Sequence, residues 1–193
     1  MNDFVPDKKN ALELLKKYNK SESLIRHGLT VAAIMKHFAM LFNEDNPEMW
    51  EVVGLLHDID YEMYPDEHCK KAKEILEKEN YPEKYIHAIQ SHGYGICCDV
   101  KPELKMEKVL YTVDELSGLI NAAAIVRPSK SILDMTVKSV KKKWKQKSFA
   151  AGVNRDVILK GAEMLGMDLN EIIQETINGM KEDAEEIGLK GNL

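Results

Sequence analysis

An all-α fold is what this sequence predicts, on three observations. Apolar residues recur at three- and four-residue spacing almost throughout, no segment reads as an alternating strand, and Pro, Ser and Gly stand where helices start and stop. Seven to nine helices are expected. Leu12, Leu14, Leu15 and Tyr18 mark a short first one. Ser21 is placed to cap a long amphipathic helix whose stripe runs Leu24, Ile25, Gly28, Val31, Ala32, Met35, Phe38 and Ala39, with His27 beside it. Pro47 opens the next helix, which closes on His57-Asp58.

Pro65-Asp66-Glu67 is expected to begin a helix with Ala72, Ile75 and Leu76 facing in. Pro82 opens another, with Tyr85, Ile86 and Ile89 as its apolar face, stopping near Gly93 and Gly95. After a loop through Cys97-Cys98-Asp99-Val100-Lys101-Pro102, a strongly helical stretch runs from Met106 to about Ile125. Arg127-Pro128-Ser129 breaks the chain, and Ser129 or Ser131 is the expected cap of the basic helix beyond it. Two last helices are placed at about 154–165 and 168–187, with Asp168 as a cap.

The chain has 193 residues, 44% hydrophobic and 31% charged, an ordinary globular composition able to bury a core without disulfides. A net charge of -5 argues against nucleic acid as a partner. No apolar run approaches the roughly 18 residues of a membrane span, and the start is polar and acidic rather than a leader. Three cysteines, Cys69, Cys97 and Cys98, form no spaced framework, and adjacent Cys97 and Cys98 would close a strained ring. The expectation is a cytoplasmic protein in which Cys69 is a buried filler.

The chemistry concentrates in a few positions. His57-Asp58 ends the apolar run Trp50-Glu51-Val52-Val53-Gly54-Leu55-Leu56, with His27 upstream and Asp114 downstream in an apolar helical face. An unpaired carboxylate buried there costs several kcal/mol, and a bound cation is the simplest compensation. Imidazoles and carboxylates on separate helices can converge in a bundle core around a divalent metal. His68 and His92 stand at helix ends, where side chains reach a shared cleft.

The order His27, His57-Asp58, Asp114 resembles the HD superfamily of metal-dependent phosphohydrolases, over about residues 21–130. His57-Asp58-Ile59-Asp60 followed by His68 and Ala72 is similar to the HDIG-type subgroup, and His92 matches the additional His of members with two metals. The resemblance implies a single HD-type domain over residues 1–193, a helical bundle whose core is followed by a helical extension at 131–193. It also implies His27, His57, Asp58, His68, His92 and Asp114 as metal ligands. Two departures stand out: the family's common Gly is Asp60 here, and a Lys often seen next is Tyr61.

Such ligands suit one or two divalent ions of Fe, Mn, Zn, Ni or Co. With two, Asp58 is the bridging carboxylate, and a metal-bound hydroxide is the expected nucleophile on a phosphoester of a small metabolite or nucleotide. Asp58, Asp60 and Glu62 are the expected catalytic carboxylates, the latter two to orient a water or a ligand His, with solvated loop acids as the plainer alternative. Arg127, Lys130, Lys138 and Lys141 are the expected phosphate-binding cations, the last two facing inward, whereas Lys142, Lys145 and Lys147 read as solvated. Tyr94 and Tyr111 are candidates to line the cleft. A di-iron oxygenase and a non-catalytic nucleotide sensor share the fold and remain alternatives; the oligomeric state is open.

Overall fold

The computed structural model describes residues 5–193, and among these there are nine α-helices and no strand. Helix α1 (Lys8–Tyr18) starts where the Asp7 carboxylate accepts from Asn10 N–H at 2.8 Å. Helix α2 (Glu22–Leu41) is the central element, and α3 (Pro47–Leu56), capped by Asn46, lies along it. Their contact is unusually close because glycine stands on both sides of it. A Cβ on Gly28 would lie 2.9 Å from the Leu55 carbonyl oxygen, and one on Gly54 would lie 2.9 Å from that of Val31. His27 is next to Gly28 and His57 is one helical turn past Gly54, so the contact that lets the backbones approach also brings the two imidazoles together.

The polypeptide then makes a single 3-10 turn at Pro65–Glu67 before α4 (Lys70–Lys78) and α5 (Glu83–Ser91). The helix expected to run on from Pro65 is therefore broken. Cys69 adopts φ +67° with ψ -40°, a non-helical backbone geometry that ends one turn before the next helix starts. Helix α6 (Lys105–Ile125) is the second long element, packed against α2 and carrying Asp114 at its middle. Ala72, Ile75, Leu76, Ile86 and Ile89 join its apolar face and those of α2 and α3 in one core.

The C-terminal elements are α7 (Val137–Trp144), α8 (Arg155–Leu165) and α9 (Leu169–Glu182). Helix α8 lies on α6 and α9 on α2, so this segment covers the backs of the two helices that carry His27 and Asp114. Thr136, rather than Ser129 or Ser131, caps α7, its hydroxyl accepting from Ser139 N–H at 3.2 Å. Ser129 is already committed, donating to the Asp134 carboxylate within a closed 127–134 turn. Asp168 does cap α9, but that helix ends at Glu182, and the remaining residues turn through Gly188 at φ +71°.

Candidate metal centre

Six side chains from five places in the sequence converge at one point of the bundle. His27 projects from α2 and Asp114 from α6, while His57 and His92 occupy the C-caps of α3 and α5. After His57 the backbone leaves the helix in tight turns, Ile59 N–H bonding to Leu56 and Tyr61 N–H to Asp58, so that Asp58 also turns inward. His57 is wholly buried and His92 nearly so, whereas the side chains of His27, Asp58 and Asp114 keep 26%, 18% and 22% exposure toward one open side. That side is a cleft of about 380 Å³.

The distances divide the six into two groups. His27 Nε2 lies 3.1 Å from His57 Nε2 and 3.0 Å from Asp114 Oδ1, and His57 Nε2 lies 3.3 Å from the same oxygen. His68 Nε2 and His92 Nε2 are 3.0 Å apart. Asp58 stands between the groups, Oδ2 facing His57 at 3.4 Å and His27 at 3.6 Å, Oδ1 facing His68 at 3.4 Å and His92 at 3.6 Å. Each of its oxygens thus belongs to a different group, the disposition a bridging carboxylate takes.

Hydrogen bonding at the far ring nitrogens shows what the near ones require. His57 Nδ1 donates to the Gly54 carbonyl at 2.7 Å, His92 Nδ1 to that of Ile89, and His68 Nδ1 to Asp60 Oδ1 at 2.7 Å. A carbonyl or carboxylate oxygen only accepts, so these Nδ1 atoms carry the proton, and a neutral ring then presents a bare lone pair at Nε2. His68 and His92 aim two such lone pairs at each other across 3.0 Å. They repel unless a cation lies between them or one ring is protonated. Metal–nitrogen bonds of about 2.1 Å at right angles place nitrogens about 3.0 Å apart, so the group fits an open, multi-coordinate divalent ion.

The carboxylates set the same demand. Burial pushes the Asp58 carboxyl up, but His57 beside it more than offsets this and holds it well below the ordinary range. Asp114 is likewise held down against burial by His57 and His27. Burial in turn opposes charge on His57 and His92, yet Asp58 and Asp114 raise both rings above an ordinary imidazole. Two ionised carboxylates therefore call for positive charge among the imidazoles, as protons or as metal.

The other expected catalytic and binding residues lie in different places. Asp60 is wholly buried, with Oδ1 on His68 and Oδ2 accepting from Ala72 N–H at 2.7 Å in the first turn of α4. It is neither a solvated loop acid nor open to substrate: it positions His68, the ligand-orienting role that was one of those expected of it. Glu62 leaves the cleft altogether, accepting from Lys20 and Ser21 N–H at 2.8 and 2.9 Å beside the start of α2.

Arg127 lies beyond the C-terminal end of α6, itself roughly 16 Å along the helix from Asp114 at 1.5 Å per residue. Its guanidinium is committed to Asp134 at 2.6 Å. Lys130 is exposed, and Lys138 and Lys141 face solvent beside Asn170 rather than inward. Tyr94 and Tyr111 do not line the cleft; both rings lie under the Lys160 ammonium.

Tyr61, Glu115 and Cys97 are among the cleft residues that the sequence reading did not place there. Tyr61 packs edge-on against His68, ring centroids 5.2 Å apart. Glu115 lines the cleft and accepts from Asn154 N–H at 2.9 Å; burial, less that bond, raises its carboxyl above the ordinary value. Its adjacency to Asp114 was the available signal. Cys97 reaches the rim, and no local pattern announced it.

A helical bundle with an open His/Asp centre between its helices is the architecture of a metal-binding domain. The HD domain family model matches residues 24–128, more than half of the chain and including all six converging residues, and the chain belongs to that family, whose members are generally metal-dependent hydrolases. No solved structure matches the chain.

Proposed function

We propose that the protein is a metal-dependent phosphohydrolase with two divalent ions, cleaving a phosphoester of a small phosphorylated metabolite or nucleotide. The observation that carries this reading is the pair of groups sharing Asp58, each with carboxylate charge and imidazole lone pairs turned to one point. His27, His57, Asp58 and Asp114 would hold one ion, and Asp58, His68 and His92 the other. Bound there, such ions lower the pKa of water and polarise a phosphoryl oxygen.

The chain's own residues supply the rest. Gly54, Ile89 and Asp60 fix three ring orientations through Nδ1, so the ligand nitrogens are aimed before any ion arrives. Glu115 lines the same cleft, anchored by the Asn154 N–H, and is the further carboxylate placed to meet the substrate. Among the described residues no Lys or Arg lines the main cleft, but a second cavity of about 200 Å³ shares His27 and Gly118 with it and holds Arg26. Arg26 is thus the cation for a second phosphate or for the non-reacting part of the substrate.

The test is phosphate release from a panel of phosphomonoesters, phosphodiesters and nucleotides by protein loaded in turn with Mn, Fe, Co, Ni or Zn, with oxygen uptake recorded in parallel. Metal-dependent phosphate release lost in Asp58→Ala supports the reading. Oxygen consumption by the iron form with no phosphate released from any ester would sink it.

A further inference from the structure

The cysteines meet beside the metal centre. Cys69 Sγ and Cys97 Sγ are 2.9 Å apart, and the Cys69, Cys97 and Cys98 sulfurs all lie within 4.8 Å of one another. We propose that these three thiols form a separate thiolate site for a borderline-soft divalent ion of the zinc class.

The backbone is shaped to bring all three together. Neighbouring side chains such as those of Cys97 and Cys98 usually diverge, yet both turn to Cys69. The Gly93 carbonyl gathers their loop, accepting from Ile96, Cys97 and Cys98 N–H at 2.9, 3.0 and 3.2 Å. On the other side Cys69 holds φ +67° and ψ -40°, backbone that an L-residue rarely adopts. Gly93 is where the thiols crowd the chain: a Cβ there would lie 2.3 Å from Cys97 Sγ and 2.5 Å from Cys69 Sγ. Any side chain at 93 would fill the space the sulfurs occupy.

A disulfide explains less of this arrangement. Joining Cys69 to Cys97 leaves Cys98 with only its thiol's bond to the Gln90 carbonyl at 3.1 Å, and joining Cys97 to Cys98 closes a strained ring. A metal uses all three. Zinc–sulfur bonds of about 2.3 Å in a tetrahedron put sulfurs about 3.8 Å apart, within the span available here. Binding would part the closest pair by roughly 1 Å, a shift open to Cys97 because it lies on the exposed rim of the cleft. Each thiol would give its proton to solvent on ligation, and a water would complete the tetrahedron from the cleft side.

Position suggests the consequence. Cys69 directly follows His68, and Cys97 and Cys98 close the loop that begins at His92. An ion on the thiols would clasp the two segments that carry these histidines. Thiolate also separates the two sites chemically, because soft sulfur selects zinc-class ions whereas manganese prefers oxygen.

The experiment uses the full chain, its His/Asp centre first filled with Mn2+, titrated with Cd2+ while the thiolate-to-cadmium charge-transfer absorbance is followed. One equivalent of Cd2+ per chain is expected to develop the band, and Cys97→Ser with Cys98→Ser to weaken binding at least tenfold and remove most of it. Wild-type thiol counting guards against a folding artefact: three free thiols on denaturation without reductant, and in the folded chain strong protection of the accessible Cys97 and Cys98 by Cd2+. His27→Ala, which disables only the His/Asp centre, should keep the band, so failure of the hydrolase reading leaves this result intact. No band, a band indifferent to the serine substitutions, or a single free thiol in protein purified without reductant would each overturn the proposal.

Discussion

The two halves of the metal centre are held by different forces. His27, His57 and Asp114 sit on or at the end of helices α2, α3 and α6, the first two placed by close packing at Gly28 and Gly54 and the third by the packing of α6 on α2. His68 and His92 sit between short elements, and their rings are aimed by hydrogen bonds, one of them to the buried Asp60 carboxylate. A core tolerates little displacement, because interiors are packed like crystals. A polar network holds only while every partner is present. The first half should therefore fail together with the fold, and the second half by losing single side chains.

Asp58 belongs to both halves, and its removal should have the largest effect. Asp58→Ala is expected to reduce bound Mn2+ from about two ions per chain to a residual amount and to abolish phosphate release, read by elemental analysis and activity on the same sample. If one ion stayed at full occupancy, Asp58 would not be shared. Next comes the polar half. Asp60→Ala should weaken the second ion by about 10–100-fold and leave the first in place, which metal titration would resolve as two separated steps.

The packed half answers to a different substitution. Gly54→Ala forces a methyl group against the Val31 carbonyl and the Ala32 Cα, at an expected cost of about 1–3 kcal/mol. Chemical denaturation should show that loss together with weaker binding of the first ion; an unchanged midpoint would mean the backbones part freely.

Acidity touches both halves. His57 and His92 have raised pKa values in the metal-free protein, so they keep their protons to higher pH than free imidazole, and those protons must leave before metal binds. Metal affinity should therefore keep climbing with pH above the ordinary imidazole range, with proton release measurable by calorimetry in buffers of different ionisation enthalpy. Affinity that levelled off below pH 6.5, about the free-imidazole value, would contradict this. The smallest effect belongs outside the comparison: Lys138→Ala and Lys141→Ala should change stability by less than about 0.5 kcal/mol and leave turnover unaltered, since both face solvent.

How much of this was legible in the sequence follows the same division. Helix periodicity disclosed α2, α3 and α6 because each buries an apolar stripe, and His57-Asp58 and Asp114 drew notice as polar groups on such stripes. What short-range pattern does not encode is partnership across long sequence distances. Whether Asp60 orients a water, orients a ligand His or is a loop acid stays open in the sequence because its two partners, His68 and the Ala72 amide, become neighbours only once the turn at Cys69 is made. Arg127 looked available to phosphate and Ser129 to a helix start because Asp134, which occupies both, is five to seven residues ahead in an irregular turn. The three thiols were seen as an odd count, since nothing in their spacing reveals that Gly93 gathers them.

The most direct measurement is bound Mn2+ per chain in wild type and in the His68→Ala, His92→Ala double variant, after reconstitution with that ion alone. Manganese avoids the thiols and reports only on the His/Asp centre. Two ions falling to one, with the fold intact, is the result predicted by a centre of two halves joined through Asp58. A count that the double substitution leaves unchanged would contradict it.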